Sequence, residues 1–142
     1  MRGAEAIMAV NVGWDTKMED VILYEFTGKW TWQEFLLGFE REIEMAASLD
    51  GRRYDVIGDT SEGPNLPGGS GITHIYSIFR RYPKNWGVTI IVTRSSFIRA
   101  MYKVGARVHP DAKNAFIIVG DIDEARALIR ERRAEVEHAD KH

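Results

Sequence analysis

Strand-type and helix-type segments alternate along this chain, and that alternation limits its fold more than any other feature. "VILYEFTG" (Val21 to Gly28) concentrates β-branched and aromatic residues and closes on glycine, which marks a strand. "TWQE" then opens a helix. Thr31 as N-cap and Glu34 three residues on make a capping box that satisfies otherwise orphaned amides. Phe35, Phe39 and Ile43 recur every four residues, with Trp32 and Leu36 beside them, so one stripe of this helix faces a core. Gly51 supplies its stop.

"YDVIGDT" is a second core strand, followed by a long glycine-rich loop. Ile72, Ile75, Phe79 and Tyr82 then turn inward from a helix that Pro83 ends. "GVTIIVT" is apolar over a strand's length, as suits a central strand covered on both faces, with Ile91 within it. Ser95 or Ser96 caps the next helix, where Phe97, Ile98, Met101 and Tyr102 pack. "NAFIIVG" reads as another central strand. "DIDEARALIRERRAEVEH" closes the chain as a helix started by Asp121 and Glu124.

The order is therefore β(β)αβαβαβα, with "IMAVNVGW" at residues 7–14 pairing as a hairpin against the strand that follows it. Such an order implies an α/β fold: one domain over residues 1–142, a mixed, mostly parallel sheet of four to five strands, and helices covering it. Residues 134–142 are expected to fray. A hydrophobic content of 44% beside 28% charged residues suits a soluble globular domain. The chain has no cysteine, which rules out disulfides and thiolate metal sites and fits the reducing cytoplasm expected for it. No apolar run approaches a membrane span, and a net charge of −2 argues against a dedicated nucleic-acid binder.

Charge is unevenly spread. Glu34 to Glu62 holds eight acidic residues and three basic ones, whereas Arg80 to Lys113 holds eight basic residues and only Asp111 against them. Arg99, Lys103 and Arg107 are spaced by four and share a helix face, a contact surface for an acidic protein or a phosphorylated small molecule.

Four further groups bear on chemistry. The loop stretch "GPNLPGGS" has the spacing of a phosphate-binding G-x-x-x-x-G-K-[ST] turn, but Gly69 stands where the lysine belongs, so a P-loop is excluded. Its helix-proximal amides at Gly69, Ser70 and Gly71 remain suited to an anion. His74 lies between core positions with no orienting carboxylate, and His138 and His142 have helical metal-pair spacing without a third ligand, so no metal site and no cofactor are expected. Asp55 and Asp59 lie on one face of their strand. Asp59, at the carboxyl end where ligands of α/β sheets gather, is the better site residue. Trp30, Trp32, Tyr76 and Trp86 are spread over several elements, a distribution that favours core and rim over a pocket lining.

This order, with "VILYEFTGKWTWQEF", "VIGDTSE" and "FIIVGDIDEARALIRER", resembles the SpoIIAA-like branch of the STAS superfamily over roughly residues 15–133. The resemblance implies a non-catalytic module, switched in the anti-sigma-factor antagonists by phosphorylation of a hydroxyl residue and bound to a partner kinase. Asp59, Thr60, Ser61 and Gly63 match the antagonists' Asp-Ser-Ser-Gly-like turn, making Ser61 and Thr60 the candidate phosphoacceptors. Glu62 intrudes, "PNLPGGSG" separates these hydroxyls from the helix, and Ser70 competes as the hydroxyl nearest the helix start.

The expected function is thus a STAS-like regulatory or binding module. It contacts a protein partner (an anti-sigma-type kinase) or a small anionic ligand through the loop 59–72, with a homodimer among the arrangements considered. The alternative is a carrier of a lipid or other apolar molecule between sheet and helices. An enzyme using Asp59 and His74 ranks last, because no nucleophile–base pair is visible.

Overall fold

Alternation along the strand Val21–Thr27 organises the molecule. Ile22, Tyr24 and Phe26 enter one apolar cluster, while Val21 and the half-buried Leu23 enter another on the opposite face. In the computed structural model, which describes residues 9–62, 67, 77–78, 80–96, 99, 103 and 115–140, this strand belongs to a five-stranded sheet. The strands are β1 (Val10–Trp14), β2 (Val21–Thr27), β3 (Tyr54–Glu62), β4 (Trp86–Val92) and β5 (Phe116–Val119), adjacent in that order. β1 pairs antiparallel with β2, and every later pair is parallel. Each parallel step needs a crossover, which fits the helical segments read between the strands. The fold is α/β with a mixed, mostly parallel sheet, as the order of segments implies.

Two long helices are described, one on each face. α1 (Trp32–Ala47) packs Trp32, Met45 and Ala46 against Ile22, Tyr24, Phe26, Tyr54 and Val56. α2 (Ile122–Asp140) packs Ala125 and Ile129 against Val21, Ile57, Val88, Ile90 and Val92. The capping box of α1 forms as its sequence indicates. The Glu34 amide donates to Thr31 Oγ1 at 3.1 Å, and the Thr31 amide donates to Glu34 Oε1 at 3.0 Å. Arg41 on α1 donates to the Val12 carbonyl at 2.9 Å, occupying an acceptor of the sheet's first strand.

The buried stripe of α1 is rotated from the one that hydrophobicity suggests. Phe39 is fully buried, but Phe35 and Ile43 are half-buried, and Gly38 and Glu42 lie inside with Met45 and Ala46. Gly38 is there for closeness. A Cβ on it would stand 2.9 Å from Val12 Cγ2 and 3.4 Å from both Tyr24 Cε2 and Val10 Cγ1, so the missing side chain lets α1 sit down on β1 and β2.

Other elements also depart from the reading of the sequence. β5 is an edge strand, not a central one, since it pairs with β4 alone among the described strands. Its apolar run reflects cover on both faces. Ile117 and Val119 lie under α2, and Phe116 meets the rings of Tyr82 and Trp86 at 5.9 and 5.4 Å on the other side. β3 runs on through Glu62, past the expected loop start, because Thr27 pairs with Glu62 after a bulge and the Gly28 amide donates to the Glu62 carbonyl. α2 continues to Asp140, through the segment expected to fray, and residues 134–139 are exposed. Ile91 is only half-buried, whereas its neighbour Ile90 is fully buried. Ile72, Ile75, Phe79, Phe97, Ile98, Met101, Tyr102 and residues 1–8 lie outside the described residues. Among those described, no helix is long and apolar enough to cross a membrane.

Two ion pairs fix α2 to the sheet. Arg126 Nη2 and Nε donate to the Asp15 carboxylate at 2.7 and 3.0 Å, joining the helix to the turn after β1. Arg133 Nε donates to Asp55 at 2.8 Å, and its terminal nitrogens donate to the carbonyls of Glu19 and Asp20 at 2.9 Å each.

Candidate functional site at the carboxyl end of the sheet

The parallel register sets the site. Asp59 lies beside Val92, and Val92 lies beside Val119, so the chain leaves three adjacent strands along one row. Beyond that row stand Ser61, then Thr93 with Ser95 and Arg99, then Gly120 with Asp121. Carboxyl ends of parallel strands are where open α/β sheets place their ligands, because the connecting loops rise there.

At β3, Asp59 is half-buried and Ser61 exposed. The Ser61 amide donates to Asp59 Oδ1 at 3.0 Å, and the Ser61 hydroxyl donates to the same oxygen. Asp59 therefore positions the serine that stands two residues on, on the same side of the strand. Thr60 faces the opposite way. It is 6% exposed, and its hydroxyl donates to the Val92 carbonyl at 2.8 Å. Of the two candidate phosphoacceptors, strand alternation turns Thr60 inward and leaves Ser61 exposed.

At β4, the Thr93 amide donates to the Val119 carbonyl, extending the ladder by one bond at 3.0 Å. Thr93 Oγ1 accepts the Ser95 amide at 3.1 Å, a local turn that starts the following segment. Arg99 folds back and donates through Nη2 to the Thr93 carbonyl at 3.1 Å, so its guanidinium lies over the ends of β4 and β5. A Cβ on Gly120 would stand 3.9 Å from that Nη2. At β5, the Glu124 amide donates to Asp121 Oδ1 at 2.8 Å and Glu124 Oε1 accepts the Gly120 amide at 3.2 Å, a reciprocal cap on α2. Arg126, one turn further, has its guanidinium pKa raised chiefly by its bond to Asp15, and the charge of Asp59 adds to that.

Of the residues singled out in the sequence, Asp59 and Ser61 meet at the end of β3, and Arg99 lies at the end of β4 against the Thr93 carbonyl. Lys103 is exposed four residues after Arg99 in helical conformation. Gly69, Ser70, Gly71 and Arg107 fall outside the described residues, as do His74, Tyr76 and His142. Among the described residues no group of three potential ligands could hold a metal ion. A carboxylate, an exposed hydroxyl and a folded-back guanidinium can bind an anion or a polar protein surface by hydrogen bonds and charge.

The aromatic residues pack on one another. Trp30 and Trp32 are buried, with Trp30 4.7 Å from the Phe26 ring and 5.0 Å from Trp32. Trp86 stacks on Tyr82 at 3.9 Å with 16° between the planes.

Two structural features escaped the sequence. One is the return of Arg99 to the Thr93 carbonyl at the strand ends. The other is Glu42, buried on α1 and bonded by Tyr24 and Tyr54. Its position three residues from both Phe39 and Met45 is the signal that could have found it, since that spacing places it on the buried face.

Comparison of the chain with family models, with curated proteins and with solved structures finds no match.

Proposed function

We propose that this protein is a non-catalytic, STAS-like regulatory or binding module. It contacts a protein partner through the carboxyl end of β3 and the following loop, residues 59–72. The observation that carries this reading is Ser61: exposed, at a parallel strand's carboxyl end, and held by Asp59. A hydroxyl so placed is open to a partner and to a kinase. Phosphate there adds close to two negative charges beside Asp59 and Glu62, so it disfavours an acidic partner and favours one that presents cations. Arg99 and Lys103 extend the contact surface with positive charge, which steers association and makes it dependent on salt.

The test is quantitative capture of proteins from the native cells by wild type, Ser61→Ala, Ser61→Glu, and a version with Pro64 to Gly69 replaced by a short Gly-Ser link. The loop replacement is expected to abolish capture of a specific protein while the fold survives. Ser61→Glu is expected to differ from Ser61→Ala. Reversing Arg99 and Lys103 to Glu together should weaken the same capture with little loss of stability, because both are exposed and exposed charges contribute little to it. Equal capture by every variant would contradict the reading.

A further inference from the structure

Three carboxylate residues are buried among the described residues: Asp15, Glu42 and Asp55. Two of them have cations. Asp15 meets Arg126, and Asp55 lies between Arg53 and Arg133. Glu42, 1% exposed, has phenols instead. Tyr24 Oη donates to its Oε1 at 2.5 Å and Tyr54 Oη donates to its Oε2 at 2.7 Å.

The groups around it can be named element by element. Tyr24 comes from β2, Tyr54 from β3, and Tyr82 from the segment before β4; burial and the Glu42 charge raise the pKa of all three phenols. On α1 itself, Arg41 is turned to the Val12 carbonyl and Glu40 is paired with Arg81. Asp55, on the other face of β3, adds its charge to the field at Tyr54. No cation among the described residues bonds Glu42.

Two tendencies oppose one another at this carboxyl. One donor on each oxygen, both at the short distances of charge-assisted bonds, suits the ionised form. Burial away from any cation suits the neutral form. We infer that Glu42, Tyr24 and Tyr54 are a pH-sensitive clamp between α1 and the sheet, which stabilises the fold less as pH rises from the acid range towards neutrality.

Burial, offset only in part by the two phenol bonds, moves the Glu42 carboxyl from 4.5 up to about 7. The unfolded chain ionises this group near 4.5, while the folded chain keeps its proton to about 7. Folded protein therefore binds more protons inside that window, and stability falls across it as pH rises, then levels off above it. The clamp joins α1 to β3 through Tyr54, the strand whose other end carries Asp59 and Ser61.

The experiment is urea unfolding from pH 5 to 8.5 for wild type and Glu42→Gln. The wild-type folding equilibrium should fall on the order of fifty-fold more than that of Glu42→Gln over this range. Parallel curves for the two proteins would overturn the inference. Tyr54→Phe removes a donor that favours the ionised form, so it should move the wild-type transition to higher pH. If Glu42→Gln does not fold, carbon-13 NMR titration of the Glu42 carboxyl in wild type decides. A midpoint at about pH 6 or above supports the clamp, and a lower one overturns it.

Discussion

Asp55→Ala should destabilise the domain by about 2–4 kcal/mol, because it removes the buried acceptor of two partly exposed guanidinium groups and of a backbone amide. Asp55 is fully buried at the start of β3. Its carboxylate accepts from Arg53 Nη2 at 2.9 Å, from Arg133 Nε at 2.8 Å and from the Val88 amide at 2.9 Å. These donors belong to three places: the residue before β3, α2, and β4. One side chain therefore ties the sheet to the helix on its face, and without it two guanidinium groups and an amide lose their acceptor. Gly87 completes the arrangement, since a Cβ there would collide with both the Arg53 guanidinium and the Asp55 carboxylate. Asp55→Asn keeps an acceptor for the Val88 amide and should cost less than Asp55→Ala. Urea midpoints of the variants measure this. A change below about 1 kcal/mol for Asp55→Ala would mean that the pair is solvated and does not anchor α2.

Ile90→Asp should unfold the protein. Ile90 is fully buried, paired between Ile57 of β3 and Ile117 of β5, and it shares a cluster with Ala125 and Ile129 of α2. The substitution removes about 2–3 kcal/mol of apolar burial and places a carboxyl inside an apolar cluster, costing several kcal/mol more. Together these approach the whole stability of an ordinary domain, about 5–15 kcal/mol. Ile90→Val, by contrast, should cost only about 1 kcal/mol. Circular dichroism and thermal melting distinguish the outcomes. An unchanged melting temperature for Ile90→Asp would show that β4 is not the buried strand described above.

The fold was legible where local chemistry decides it. Thr31 and Glu34 announce the start of α1 because a capping box is a contact between residues three apart, and it forms as read. The alternation of segments conveys the parallel sheet for a similar reason, since each crossover needs its helix. Features set by distant partners were not legible. The "NAFIIVG" run looks central because both its faces are covered, and nothing local reports that a strand has only one neighbour. Glu42 looks solvent-facing because its partners, Tyr24 and Tyr54, are 18 and 12 residues away. The continuous run of β4 does not distinguish Ile91 from Ile90, and only the packing of its two faces shows that Ile90 is deeper.

The same division holds for the site. Asp59 and Ser61 were legible because their contact is local, two residues apart along the chain. The inward turn of Thr60 was not legible because its hydroxyl partner, the Val92 carbonyl, is 32 residues away. Arg99 was read as one member of an exposed stripe. Arg99 is exposed, and the return of its guanidinium to the Thr93 carbonyl at the end of β4 was not legible from the spacing of the stripe.

The proposed partner contact lies at the carboxyl ends of β3 and β4, and hydrogen–deuterium exchange of the protein alone and with its captured partner tests it. Slowed exchange is expected in peptides covering residues 59–72 and 93–103, with β1 and the outer face of α2 unchanged. Slowing confined to β1 or to α2, with residues 59–72 exchanging as in the free protein, would contradict it.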